Sequence, residues 1–127
     1  MDESTLMANT GIVLFGHGAR DPRWAEPFER LAQRLRGVPD APPVSLAFLE
    51  MMTPDLASAI DTLAAEGCDT IKVVPVFFGQ GAHLRRDLPA LLDQCRQTHP
   101  QLTILCTQAA GEDDAVQDAL AAYALRA

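Results

Sequence analysis

Residues 11–22 read GIVLFGHGARDP. Gly11 to Phe15 form an apolar run without polar alternation, the pattern of a strand buried on both faces. The chain then breaks. Gly16 and Gly18 flank His17, and Asp21-Pro22 pairs a natural N-cap with a proline suited to the first helical position. A buried strand that passes directly into a helix is half of a βα unit. Three further runs have the same character: Val44 to Leu49, Thr70 to Phe78 and Leu102 to Cys106.

Each run is followed by a helical pattern. Trp24, Phe28, Leu31 and Leu35 form the stripe of the first helix, which carries Pro27 early and stops at Gly37 and Pro39. The second starts at Thr53-Pro54, places Leu56, Ile60 and Leu63 inward, and ends at Gly67. The third runs from about Leu84 to Gln97, with Leu84, Leu88, Leu91, Leu92 and Cys95 inward and Pro89 inside it. The fourth runs from Glu112 to the C-terminus, with Val116, Ala119, Leu120 and Tyr123 inward. Strand and helix alternate four times. This predicts a single flavodoxin-like α/β domain over residues 11–127, after a tail at 1–10. Its sheet is four-stranded and parallel, with helices on both faces.

The 127 residues suffice for one domain with a core. Ten Lys and Arg against 17 Asp and Glu give a formal charge of -7, which argues against a general nucleic-acid binder. An anionic small molecule stays open, because a local Arg cluster can act inside an acidic protein. Cys68, Cys95 and Cys106 are odd in number and form no C-x-x-C, so they read as reduced thiols of a cytoplasmic protein. The stretch MDESTLMANT carries acids and no apolar run, and reads as neither signal peptide nor membrane anchor; Met7 offers a second start. The apolar runs are strand-sized, well below the ~20 residues of a membrane span.

Ligands of open α/β sheets bind beyond the carboxyl ends of the strands. The segments there are Gly16-His17-Gly18-Ala19-Arg20, Glu50-Met51-Met52-Thr53, Gly79 to Arg86, and Thr107 to Glu112. His17 and His83 each sit in a glycine-rich turn after a strand, and Glu50 follows the strand between. His99, before Pro100, reads as a helix C-terminal residue instead. Two imidazoles and a carboxylate suit a divalent first-row metal: Fe, Co, Ni or Zn. Two or three ligands leave the coordination sphere open, which suits catalysis or a metal that must leave. A dinucleotide loop fits poorly, since position 21 is Asp where G-x-G-x-x-G needs Gly. There is no G-K-[ST], and Gly16 stands where a histidine phosphatase would place Arg.

Three segments carry a family resemblance: LFGHGARDP at 14–22, VSLAFLEMMTPDLASAI at 44–60 and KVVPVFFGQGAHLRRDLP at 72–89. Here the sequence resembles the small class II tetrapyrrole chelatases, the CbiX-type sirohydrochlorin cobaltochelatases and their ferrochelatase relatives. The resemblance implies insertion of Co2+, or of Fe2+ or Ni2+, into a sirohydrochlorin-type ring, without ATP or an organic cofactor. It places the first metal-binding histidine on His17, the second on His83 and the acid on Glu50, and it implies a homodimer. Under that reading His17 and His83 present the metal, and one of them or Glu50 takes a proton. His83 is favoured as the base, because its loop opens a helix. Acid should then lower activity, since protonated imidazole cannot bind metal. Arg20, Arg85 and Arg86, with the glycine turns at Gly16, Gly18 and Gly81, would hold the ring's carboxylates. Met51, with Met52, Phe77 and Phe78, would offer apolar surface, although both Phe residues suit a core equally well. The same ligands would serve a non-catalytic carrier of metal or tetrapyrrole.

Overall fold

The computed structural model describes residues 9–79 and 81–127, and of residues 82 and 83 the backbone alone. Strands β1 (Thr10–Gly16), β2 (Val44–Phe48), β3 (Thr70–Pro75) and β4 (Thr103–Cys106) form one sheet in the order β2-β1-β3-β4. Every pairing is parallel. The helices are α1 (Glu26–Arg36), α2 (Leu56–Ala65), α3 (Ala82–Thr98) and α4 (Asp114–Arg126). Single 3-10 turns at Pro22–Ala25 and Ala110–Glu112 precede α1 and α4.

β1 lies between β2 and β3, which is why its residues are apolar on both faces. Val13 and Phe15 enter the larger core with Ile71, Val73 and Ile104, beneath Ile60 and Leu63 of α2 and Leu88 and Leu92 of α3. Ile12 and Leu14 face the other way, toward Leu31, Ala32 and Leu35 of α1. Gly11 is glycine because a Cβ there would stand 2.9 Å from the Cys68 sulfur. Two arginines tie helices to strands: Arg36 donates to the Val44 carbonyl at 2.8 Å and Arg96 to the Ile104 carbonyl at 2.7 Å.

The expected elements are present with shifted ends. Trp24 leaves the predicted stripe: it sits in the 3-10 turn, 51% exposed, because α1 begins only at Glu26. Asp21 does cap that turn, accepting from the Arg23 N–H at 2.9 Å. The Thr53–Pro54 bond is cis, and α2 is capped by Asp55, which accepts from the Ser58 N–H at 2.9 Å. α3 continues through Pro89, whose ring is exposed. The larger departure is α4. Leu120 and Tyr123, expected inward, are 42% and 59% exposed, Ala119 is exposed, Val116 is half-buried, and the helix has no buried residue. α4 follows the turn at Ala110–Glu112 with every one of its residues exposed or half-buried. Thr10 and Asn9 already belong to the fold, since the Asn9 carbonyl accepts from the Asp69 N–H at 3.0 Å. The rest of the predicted tail lies outside the described residues.

The three cysteines are free thiols. Burial holds all three thiols above the ordinary range, and nearby acids add to this at Cys68 and Cys95. The folded chain therefore keeps thiol protons that the unfolded chain releases near pH 8.5. With more protons bound in the folded state, stability falls as pH rises past that point. The urea midpoint should drop between about pH 8 and pH 10, and by less in Cys106→Ala, which removes one of the three contributions.

Candidate functional site

In the order β2-β1-β3-β4 the strand sequence reverses between β1 and β3, and ligands bind at such a switch point. Backbone hydrogen bonds knit the loops of this rim together. The Val76 N–H donates to the Phe15 carbonyl at 2.8 Å, Leu49 to Gly16 at 2.9 Å, and Glu50 to His17 at 3.1 Å. From the far side the Gly111 N–H donates to the Phe77 carbonyl at 2.8 Å. These bonds join the segments after β1, β2 and β4 to one another through the end of β1 and the residues just after β3.

His17 stands at its centre. The side chain is exposed, yet the ring lies on Phe77, with centroids 4.5 Å apart and planes 39° from parallel. Phe77 is buried and meets Phe15 edge-on at 5.9 Å. The imidazole therefore has a fixed apolar floor and an open upper face. The neighbouring Phe78 is 72% exposed, so the aromatic pair divides: Phe77 is core and Phe78 faces solvent on the rim.

The glycines around His17 have distinct causes. A Cβ at Gly16 would meet the Phe28 ring at 2.6 Å, so helix packing requires this glycine. Gly18 has φ +91, and a Cβ there would stand 1.9 Å from the Glu50 carbonyl oxygen. Gly18 is what allows the loops after β1 and β2 to touch. At Gly81, the N-cap of α3, a Cβ would meet no atom of the described residues within 4 Å.

The remaining predicted residues surround this centre. Glu50 is exposed, and the bond joining it to His17 is between main chains. Arg20, Met51 and Met52 line a groove of about 600 Å³ with Ala19, Pro22 and Thr53. Arg85 and Arg86 are exposed near the start of α3, whose first turn contains no acid. Cations at a helix N-terminus oppose the dipole, and Arg86 has a nearby acid in Asp87, with its Nε 3.9 Å from a carboxylate oxygen. The side chain of His83 lies outside the described residues, and the predicted trio of ligands is not assembled among them. Among the described residues no three His, Cys, Asp or Glu side chains gather as a metal centre.

His99 behaves as a structural residue: it ends α3, and its Nε2 lies 2.6 Å from an Asp61 carboxylate oxygen of α2. That pair borders a cleft of about 390 Å³ between α2 and α3, which contains none of the predicted site residues. The signal for the His17–Phe77 contact was the run VFFG at 76–79, whose two aromatic residues end a buried strand beside a second glycine loop.

Known proteins agree with this architecture. The CbiX family profile matches residues 11–127. A sirohydrochlorin cobaltochelatase of Methanopyrus kandleri is 37% identical over 81 residues, 64% of this chain and 57% of that one. The sirohydrochlorin cobaltochelatase of Sulfolobus acidocaldarius is 32% identical over 110 residues, 87% of this chain and 85% of that one. The matched stretch thus spans under two thirds of the Methanopyrus protein and most of the Sulfolobus one. Among solved structures, a cobalamin biosynthesis CbiX protein from Marinobacter aquaeolei superposes with TM-score 0.74 at 28% identity, over 93% of this chain and 99% of that one. The chelatase SirB from Bacillus subtilis subspecies spizizenii, in complex with cobalt, shares the fold with TM-score 0.77 at 23% identity, over 90% of this chain and 49% of that one. With the profile covering nearly the whole length and the same four-stranded sheet beneath it, the chain belongs to the CbiX family.

Proposed function

We propose that this protein inserts a divalent metal, Co2+ foremost and Fe2+ or Ni2+ as alternatives, into sirohydrochlorin or a close tetrapyrrole relative. Metal and ring are both substrates, and neither ATP nor an organic cofactor takes part. The observation that carries the reading is His17: an imidazole on an apolar floor at the switch point of a CbiX-family sheet, open above.

The reaction exchanges one M2+ for two pyrrole N–H protons. Neutral His17 offers its ring lone pair to the metal. His83 is the second donor and the favoured base, and Glu50 is an additional acceptor for metal or proton. Arg20, Arg85 and Arg86, together with the open N-terminus of α3, receive the ring's carboxylates. Gly16, Gly18 and Gly81 shape the floor beneath the ring, and Met51 and Phe78 give it apolar contact. The protein works in the cytoplasm as a pair of identical copies. No described helix is long and apolar enough to cross a membrane.

The test is a visible-absorption time course with metal-free protein, sirohydrochlorin and each metal in turn under anaerobic conditions, against a protein-free control. Acceleration of the spectral change is the expected result, falling as the buffer is acidified because protonated imidazole has no lone pair for the metal. Binding of metal or ring at the uncatalysed rate of insertion would make the protein a carrier. Arg85→Ala with Arg86→Ala is expected to raise the macrocycle KM while leaving the metal concentration dependence in place. At about 1 kcal/mol per solvent-exposed contact, each loss amounts to roughly fivefold.

A further inference from the structure

Three consecutive acids, Glu112-Asp113-Asp114, follow the last strand, and the fold gives them different work. Asp113 caps α4, its carboxylate accepting from the Val116 N–H at 3.2 Å. Asp114 lies in the first turn of that helix, where a negative charge suits the dipole. Glu112 precedes the cap, in the turn Ala110–Glu112, and serves neither purpose. Its carboxylate is turned to the rim: a Cβ at Gly79 would meet Glu112 Oε1 at 3.8 Å and no other atom of the described residues within 4 Å. Gly79 stands four positions before His83. Among the described residues no cation pairs with Glu112.

The turn that carries Glu112 is pinned from two sides. The Gly111 N–H donates to the Phe77 carbonyl at 2.8 Å, and a Cβ at Gly111 would run into the Phe78 backbone, so the turn lies directly against the segment after β3. From the helix side the Gln117 amide donates to the Gly111 carbonyl. Phe77 is also the residue on which the His17 ring rests. Imidazole and carboxylate are therefore both seated on one short segment, residues 77–79.

We infer that Glu112 is a docking ligand for the incoming divalent cation, outside the set of His17, His83 and Glu50. The inference deepens the metal-insertion reading above and rests on it. A divalent metal arrives hydrated, and its waters must be exchanged before ring nitrogens can replace them. A carboxylate oxygen suits a hydrated ion, whereas imidazole suits the transition metals. Glu112 takes the place of one water, the His17 lone pair takes the place of another, and the carboxylate then lets go. No electron or proton changes hands in this transfer. A ligand that must release its ion should not belong to a closed site, and Glu112 stands in none. Its charge also sorts the two substrates, since it attracts the metal and repels the carboxylates of the ring.

Initial rates of Co2+ insertion into sirohydrochlorin are measured on the full chain at saturating ring, with Co2+ varied. Glu112→Gln should raise the KM for Co2+ about fivefold, the worth of one exposed charged contact, with kcat and the macrocycle KM unchanged. Asp118→Asn removes the same charge from an exposed position of α4 and should leave the Co2+ KM where it is. Equilibrium dialysis against Co2+ alone separates the docking role from the insertion reading. Without any ring, Glu112→Gln should bind the ion several-fold more weakly than wild type, and so should His17→Ala. Weaker binding in His17→Ala with wild-type binding and wild-type Co2+ KM in Glu112→Gln would overturn the docking role alone. Wild-type binding in both variants would overturn the docking role together with the metal-donor reading of His17. Equal rises in Co2+ KM for Glu112→Gln and Asp118→Asn would reduce the effect to net charge and overturn it too.

Discussion

His17→Ala is expected to leave the fold in place and to remove about 10²-fold or more of the cobalt-insertion rate, within the range that a ligand-supporting or proton-transferring group contributes. The fold should survive because the side chain is exposed and its ring contact among the described residues is with Phe77. The two bonds at this corner of the rim, Leu49 to Gly16 and Glu50 to His17, are both between main chains. Activity should not survive, because the proposed pair of imidazole donors would be reduced to His83 alone. His99 is committed to Asp61 at the far end of α3. His17→Gln separates the roles: it retains a polar side chain without an imidazole lone pair, so it should fail like alanine if the metal is the target. The measurement is the rate of the visible spectral shift with saturating ring and a titration of Co2+. Retention of more than a third of the wild-type rate by both variants would remove His17 from the mechanism. An unchanged urea midpoint is the control that the loss is local.

The sequence was most legible where both faces of an element are buried. β1 is read from its apolar run because core packs on both of its faces, and β3 from the run that follows Lys72; the site location follows from where those runs stop. Periodicity fails at α4 for a physical reason. A stripe of Val116, Ala119, Leu120 and Tyr123 says which side of the helix avoids water, and says nothing about what covers it. Trp24 misleads in the same way, since a 3-10 turn rotates its residues off the α-helical stripe that starts after it. The glycines are legible as turns and illegible in cause. Gly16 answers to Phe28, twelve positions along the chain, whereas Gly18 answers to a carbonyl 32 positions away. The Asp61–His99 pair spans 38 positions and bridges two helices, so only the folded chain reveals that this histidine is already in use.

Gly18→Ala should damage stability and activity together, and Gly81→Ala should do neither to a comparable degree. At Gly18 two costs add. A backbone φ of +91 is one that L side chains rarely adopt, with a penalty of roughly 1–3 kcal/mol. The new Cβ would also stand 1.9 Å from the Glu50 carbonyl oxygen and 3.4 Å from the Phe48 Cβ. A flexible side chain could swing away from such a clash; a carbonyl tied into the loop after β2 can do so only by moving the loop. That movement strains the hydrogen bond from the Glu50 N–H to the His17 carbonyl, the last stitch between the first two post-strand segments. Glu50 would shift relative to His17, and Met51 relative to the groove it lines. Met51 already holds a positive φ of 66 and has little freedom to absorb the change. The expected result is a fall in the urea midpoint equivalent to about 2 kcal/mol or more, with a loss of insertion rate at temperatures where the variant is still folded. At Gly81 no atom of the described residues lies within 4 Å of the added Cβ and φ is -71, so the alanine chain should unfold within about 0.5 kcal/mol of wild type. If Gly81→Ala nevertheless raises the macrocycle KM, the open space in front of α3 is where the ring lies. If Gly18→Ala unfolds like wild type, the two loops are not held together by this glycine, and Glu50 loses its claim to a fixed place beside His17.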